Sequence, residues 1–285
     1  MLLFSFAVIN MFQEEGSEAM ITQGSSREKI AVVELFGVIR NSDDIVRQLR
    51  KYGERRDVNA IVLRIDSPGG AVAPSQEIYE AVKSIRDAGK TVVVSMGSVA
   101  ASGGYYAACA ANRIVANRGT ITGSIGVISQ FFRLDPMLEK VGVESNTIKS
   151  GKHKDVGNPF RKMTKEDRQY FQDLMDDIHR QFITAVEQER HLDHKNALRL
   201  ADGGVFTGEH AVLNGLVDTL GTYEDAIHIA ADLSGIRGEP TVIRERKSRP
   251  LFQRLFGESS VLNLWGLKDE ILSPPILEYR FIHFN

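Results

Sequence analysis

The chain has 285 residues, of which 42% are hydrophobic and 25% charged, with a formal net charge of −2 at pH 7. That balance belongs to a globular chain of one or two domains with a sizeable core; it excludes the disordered class, and the weak net charge leaves no basic footprint for nucleic acid. The single cysteine, Cys109, excludes an intrachain disulfide and any multi-cysteine metal site, and reads as small core filling.

Met1 to Phe12 is almost wholly apolar but meets Glu14 and Glu15 after about a dozen residues, against about 20 for a membrane span. It also lacks the positive leader of a secretory signal. Residues 1–28 therefore stand apart as a truncated membrane anchor with its linker, the product of a start codon assigned too late, or a loose apolar tail. From Lys29 the pattern alternates. Strands are expected at Ile30 to Ile39, Ala60 to Ile65, Thr91 to Ser95, Arg113 to Ala116 and Ser145 to Ile148. Helices are expected at Pro74 to Ala88, Gly104 to Ala111, Leu134 to Val141, Thr164 to Gln188, Lys195 to Ala201, Gly208 to Asn214 and Tyr223 to Leu233. Thr164 with Asp167 resembles a capping pair, weaker than one with Glu or Gln. Such alternation predicts an α/β fold with a largely parallel sheet.

The last segment, 244–285, departs from this pattern. Arg244 to Arg249 reads as a solvated tail, while Leu251 to Phe256 and Leu262 to Leu267 are apolar enough to pack on a partner or a membrane. Ser273 to Tyr279 reads first as a structural tail, with a strand that enters a substrate groove by edge pairing as the sharper alternative. The chain thus divides into residues 1–28, a main domain at 29–243, and a tail at 244–285.

Chemistry concentrates in three segments. Met96 to Ala108 sets Ser102 among small residues at a strand-to-helix junction, where orphan amides favour an alkoxide and a developing oxyanion. A lone Ala-Ser-Gly-Gly is more often a tightly packed glycine turn, but Asp66-Ser67-Pro68-Gly69-Gly70 makes a second Gly-Gly turn after a second strand. The amides of Gly69 and Gly103 would there form an oxyanion hole. Serine needs a base. His179, His191, His194, His210, His228 and His283 lie in helix-like or terminal segments; His153 is the exception. The third segment, Thr147 to Asp155, supplies lysines instead, and burial can lower a lysine pKa far enough to accept the serine proton. If that segment is extended, Lys152 and Lys154 share a face and Lys149 points away, which leaves two candidates.

Taken together, Ala101-Ser102-Gly103-Gly104-Tyr105-Tyr106, Thr120 to Ile128, Lys149 to Asp155 and the Asp66 to Gly70 turn resemble the signal peptide peptidase A family of serine–lysine proteases, over roughly Ile30 to Leu233. The resemblance implies Ser102 as nucleophile, Gly69 as oxyanion donor and, through the pattern Ser-Gly-x-x-Lys-Asp, Lys154 as general base with Lys152 a solvated charge. It implies that Ser124 lies near the base lysine and orients its amine, the alternative being a turn serine bonded to its own backbone. Ser124 is a weak nucleophile candidate in its own right, because Thr122 stands where the esterase elbow needs glycine.

The resemblance further implies the Clp/crotonase superfold of stacked β-β-α units with a helical arm, assembly into a ring-like homo-oligomer, and neither cofactor nor metal. Its substrates would be peptides left in the membrane after signal-peptide processing, bound as a strand beside Gly69, Gly70, Ala71 and Val72. The catalytic domain would be membrane-associated on the extracytoplasmic side of the bacterial inner membrane. Three other readings stand beside it: a protease for one membrane-protein partner, a crotonase-type acyl-CoA enzyme, and an inactive peptide-binding scaffold.

Overall fold

Strands covered on both faces must be apolar on both, and the Val- and Ile-rich runs of this chain build such strands. The computed structural model describes residues 18–246 and the backbone of 278–280. The strands are β1 (Glu18–Thr22), β2 (Lys29–Phe36), β3 (Val58–Ser67), β4 (Gly69–Ala71), β5 (Thr91–Ala101), β6 (Arg113–Ala116), β7 (Ile121–Gly123), β8 (Val205–Thr207), β9 (Thr219–Leu220), β10 (Thr241–Glu245) and β11 (Glu278–Arg280). The main sheet runs β1-β10-β2-β3-β5-β6-β9, with β7 on β5 and β8 on β7. Its pairs are parallel except β1 with β10 and β7 with β8. The fold is therefore α/β with a largely parallel sheet, as expected, and β3-β4 followed by a helix is one β-β-α unit.

The helices are α1 (Asp43–Glu54), α2 (Val72–Asp87), α3 (Gly103–Cys109), α4 (Asp135–Lys140), α5 (Lys165–Arg190), α6 (His194–Leu200), α7 (Gly208–Leu213) and α8 (Tyr223–Leu233). Alternation along β3 shows how they cover the sheet. Ile61, Leu63 and Ile65 belong to the larger core with Ile78, Val82, Tyr105 and Phe182, while Ala60 and Val62 face the smaller core with Ala226 and Ala230 of α8. Each such buried Ile or Leu contributes roughly 1.5–3 kcal/mol relative to exposure. The contacting rings of Tyr79, Tyr106 and Phe182 tie α2, α3 and α5 together.

Helix α5 is the arm. Thr164 and Asp167 close a full capping box at its start, and His191 ends it in the left-handed conformation. Four features differ from the sequence expectation. Helix α1 was not expected, although Ile45, Val46, Leu49 and Tyr52 carry helical spacing onto the core. Conversely, Ser145 to Ile148 forms no strand; Ile148 is fully exposed, and among the described residues no strand lies beside it to pair with. Strand β1 comes from the segment 1–28, and Arg244 lies within β10, paired to Glu34, rather than in a solvated tail. Met1 to Phe12, Leu251 to Phe256 and Leu262 to Leu267 lie outside the described residues.

Candidate active site

The carboxyl ends of β3, β5 and β7 meet on one side of the sheet, the place where open parallel sheets hold their ligands. A bulge in β5 produces the meeting. Ile65 lies opposite Met96 but Ser67 lies opposite Ala100, so β5 carries two more residues than β3 across that interval. Asp66 fixes the excursion: its Oδ1 accepts from the Val99 amide at 3.0 Å, and it packs so close to Gly97 that a Cβ there would lie 2.8 Å from the Asp66 Cγ. The Thr120 and Thr122 hydroxyls donate to the carbonyls of Gly97 and Ala100 at 2.8 and 2.7 Å. Beyond the bulge, Val99–Ala101 leaves β6 and pairs with β7.

Ser102 follows immediately. Its backbone has φ 54° and ψ −118°, its amide donates to the Gly123 carbonyl at 2.8 Å, and its own carbonyl accepts from Tyr106 to begin α3. It is 1% exposed. A serine strained in this way between strand and helix matches the geometry of a nucleophile elbow, reached here without that motif's glycine two residues earlier. The helix behind it is anchored by the buried Tyr105 hydroxyl, which donates to the Leu216 carbonyl at 2.9 Å. Gly103 opens α3, so its amide has no intrahelical partner and is available to an oxyanion.

The Gly69 turn is pressed against this helix, since a Cβ on Gly104 would lie 3.0 Å from the Ser67 carbonyl oxygen. Gly69 itself has φ 96°, which a side chain would not tolerate. Its amide donates to Ser67 Oγ at 3.1 Å, and that hydroxyl donates in turn to the Gly37 carbonyl at 2.6 Å. The Gly69 amide, expected as an oxyanion donor, thus lies against α3 and holds an internal partner. Gly70 runs against Ile39 with no room for a Cβ, and Ala71 donates to the Ile39 carbonyl at 2.7 Å. Val72, expected beside a bound strand, instead begins α2. The other side of β4 is taken by β11, antiparallel, with Glu278 opposite Ala71, Tyr279 opposite Gly70 and Arg280 opposite Gly69.

Ser124 joins the cluster from β7. It has φ 51°, is buried, and donates its amide to the Gly204 carbonyl at 2.8 Å. Next to it, the Ile125 carbonyl meets His179 Nε2 of α5 at 3.2 Å. Asp66, Gly97 and Thr122, which position Ser102, were not legible as site residues; the signal available was a glycine inside a strand run.

Lys154 is placed differently. It sits on an exposed turn, its amide donating to the Gly151 carbonyl at 3.2 Å, and among the described residues its amine makes no hydrogen bond or ion pair. The turn is seated on the start of α5: His153 stacks on Tyr170 with centroids 4.8 Å apart, and Arg161 bridges Asp155 and Asp167. Tyr170 and His179 are nine residues apart on α5, about 13 Å at helical rise, so the Lys154 turn, through His153, and Ile125, the residue after Ser124, contact that helix at separate levels. Residues 151–157 form turns rather than extended chain, so alternation does not separate the lysines; Lys149 is ion-paired with Asp155. Cys109 is buried in the core with its thiol pushed up by desolvation, the behaviour of an inert filler.

Two further observations bound the site. A cavity of about 370 Å³ on the arm is lined by Phe131, Phe132, Met163, Arg168 and Phe171 among others, and by none of the expected site residues. No helix among the described residues is long and apolar enough to cross a membrane.

Residues 84–237 match the family described as Peptidase family S49. The chain is 43% identical over 242 residues to "Putative protease slr0021" of Synechocystis sp., covering 84% of this chain and 86% of that one. It is 34% identical over 226 residues to "Putative signal peptide peptidase SppA" of Enterococcus faecium, covering 75% of this chain and 66% of that one. Among solved structures, a point mutant of ClpP1 from Listeria monocytogenes aligns with a TM-score of 0.47 at 16% identity, over 68% of this chain and 93% of that one.

Proposed function

The chain belongs to peptidase family S49, and on that premise we propose that its serine peptidase chemistry is an endopeptidase reaction of Ser102 with Lys154 as general base. The observation that carries the proposal is the strained, buried Ser102 at the junction of β5 and α3, beside the Gly69 turn. A peptide adds as a strand along β4. Ser102 Oγ attacks the scissile carbonyl while the Lys154 amine takes its proton, and the amides of Gly103 and Gly69 hold the oxyanion, the latter after releasing Ser67 Oγ. The intermediate collapses as the ammonium returns its proton to the leaving amine, and water then hydrolyses the acyl-enzyme with Lys154 again as base. Ser124 orients the amine, and no step requires a metal or cofactor.

Lys154 reaches Ser102 from a second copy in a ring-like homo-oligomer. Support comes from residues 132–148, where Phe132, Met137, Val141, Val143 and Ile148 are all exposed apolar side chains on the segment that leads into the lysine turn. Burial at that interface would also supply the desolvation that lowers a lysine pKa. The substrates are peptides left in or at the membrane after signal-peptide cleavage, met by a membrane-associated domain on the extracytoplasmic side of the bacterial inner membrane. The name of the Enterococcus relative supports this substrate class, as does a recognition edge built from backbone, which reads extended peptides without demanding particular side chains.

The test is hydrolysis of a fluorogenic apolar peptide from about pH 6 to pH 10, the range that brackets a lowered lysine pKa, by the wild type, Ser102→Ala and Lys154→Ala. Loss of activity in both variants, with a wild-type rate rising through one basic ionisation, supports the dyad. Wild-type rates in either variant overturn it.

A further inference from the structure

Gly69 is buried, and a buried amide left without an acceptor is costly. Ser67 Oγ meets that need, accepting from the Gly69 amide at 3.1 Å. The hydroxyl's own proton is committed elsewhere, donated to the Gly37 carbonyl at 2.6 Å, so only its lone pairs face Gly69. Alternation along β3 turns Ser67 to the face of Leu63 and Ile65, the face on which Tyr105 of α3 packs. A Cβ on Gly104 would lie 3.5 Å from the Ser67 Cβ. The Ser67 side chain, wholly buried, therefore stands against the first turn of α3, where Gly103 carries the other amide expected to hold the oxyanion.

We propose that Ser67 is a positioning residue of the oxyanion turn: its hydroxyl occupies the Gly69 amide in the resting enzyme and yields it to the oxyanion. This rests on the peptidase reading above, because the amide has an oxyanion to meet only if Ser102 attacks a carbonyl. Charge decides the exchange. A hydrogen bond to an anionic oxygen is roughly twice as strong as one between neutral groups, and the Ser67 bond, at 3.1 Å, lies toward the long end of the normal range. A substrate carbonyl is neutral and gains little by displacing the hydroxyl, whereas the developing oxyanion gains much. The Gly69 carbonyl is fixed by the Ile39 amide at 2.9 Å, so the backbone stays in place and the exchange needs only rotation about χ1 of Ser67. Ser67 thus keeps a buried amide satisfied between turnovers and lowers kcat in doing so, while KM is untouched.

The experiment compares the full chain with Ser67→Ala and Ser67→Cys, the second keeping side-chain bulk in the buried turn while offering only a weak acceptor. With the fluorogenic apolar peptide, kcat rises several-fold in both variants and KM stays the same. Thermal unfolding of Ser67→Ala moves down, because a buried amide has lost its acceptor. A peptide boronate, whose tetrahedral adduct on Ser102 Oγ presents an anionic oxygen to the two amides, binds both variants several-fold more tightly. The matching peptide with its scissile carbonyl reduced to methylene has no oxygen for those amides and binds all three forms alike. A lower kcat and weaker boronate binding in folded variants overturn the proposal, since Ser67 is then a strut that aims the Gly69 amide. Variants that match a hydrolysing wild type in kcat and boronate affinity also overturn it, and leave the peptidase reading standing. If the wild type itself neither hydrolyses the peptide nor binds the boronate, the peptidase reading fails and the role of Ser67 falls with it.

Discussion

Ser102 and Ser124 stand at matching places, each one residue beyond a paired strand end. Ala101 lies opposite Gly123, and both serines follow with positive φ, 54° and 51°. The amide of the first bonds to the carbonyl just before the second at 2.8 Å, so the two strained turns hold each other. Among the described non-glycine residues, the remaining positive φ belongs to His191, which merely caps α5. Strain of this kind costs about 1–3 kcal/mol per residue and persists where the surrounding structure enforces it.

Replacing Ser102 separates strain from chemistry. Ser102→Gly removes the hydroxyl and relieves the positive φ, so it should raise stability by about 1 kcal/mol in urea unfolding while lowering peptide hydrolysis by at least ~10³-fold. Ser102→Ala should lose the same activity without the gain in stability. Retained hydrolysis in either variant removes Ser102 from the nucleophile role.

Ser124→Ala tests the second turn. The backbone bond from residue 124 to Gly204 survives the substitution, so the fold should be kept and thermal unfolding should stay near wild type. Turnover should fall about tenfold, the loss expected when one transition-state hydrogen bond of ~1.4 kcal/mol is removed. A wild-type rate would identify Ser124 as a turn residue bonded only through its backbone.

A mixing experiment tests whether the dyad is shared between copies. Ser102→Ala and Lys154→Ala chains are inactive alone. When they are co-assembled in equal amounts, a site built from one copy's serine and the next copy's lysine recovers about one quarter of wild-type activity by random placement in a ring. A mixture that stays inactive shows that both groups come from one chain.

What the sequence disclosed and what it hid follow from the range of the interactions involved. Ala60 to Ile65 and Thr91 to Ser95 were legible because strands covered on both faces are near-continuous apolar runs, and the glycines after them marked the two turns of the site. Strands β7, β8 and β9 are two or three residues long, too short for an alternation of period two to show. Ser145 to Ile148 carries strand composition but finds no neighbouring strand among the described residues, and pairing is not encoded in a segment alone. The seat of Lys154 on Tyr170 through His153 is a tertiary contact between a turn and a helix, which no local pattern announces.

Gly97→Ala addresses the bulge that aims Ser102. The added Cβ would fall 2.8 Å from the Asp66 Cγ, inside contact distance, and Asp66 cannot retreat without releasing the Val99 amide. Overpacking of this kind costs about 1–3 kcal/mol, and the shift should propagate to Ser102 as a lowered kcat. Unfolding in urea beside steady-state kinetics reads both; a variant with wild-type stability and kcat would show that the bulge does not position the nucleophile.

Acid should release the arm before the sheet. The Asp155 carboxyl is held down to about 2, against an ordinary 3.8, first by the Arg161 guanidinium and then by Lys149. Asp167 is held lower still by Arg161 and by the capping bonds at Thr164. A carboxyl with a depressed folded pKa stabilises the folded form above its unfolded pKa, and that contribution is lost as pH falls through the folded value. For Asp155 the window therefore runs from about pH 4 down to about pH 2. These two ion pairs hold the Lys154 turn to the start of α5, whereas the sheet is held mainly by uncharged core residues whose packing does not titrate. Hydrogen exchange followed by mass spectrometry should show amides of residues 147–167 losing protection across that window while those of β3 and β5 keep theirs. Asp155→Asn should lower protection of the turn at neutral pH and flatten most of its acid dependence. Turn amides that stay protected in the wild type down to about pH 2 would mean that packing of His153 on Tyr170, and not the ion pairs, seats the lysine.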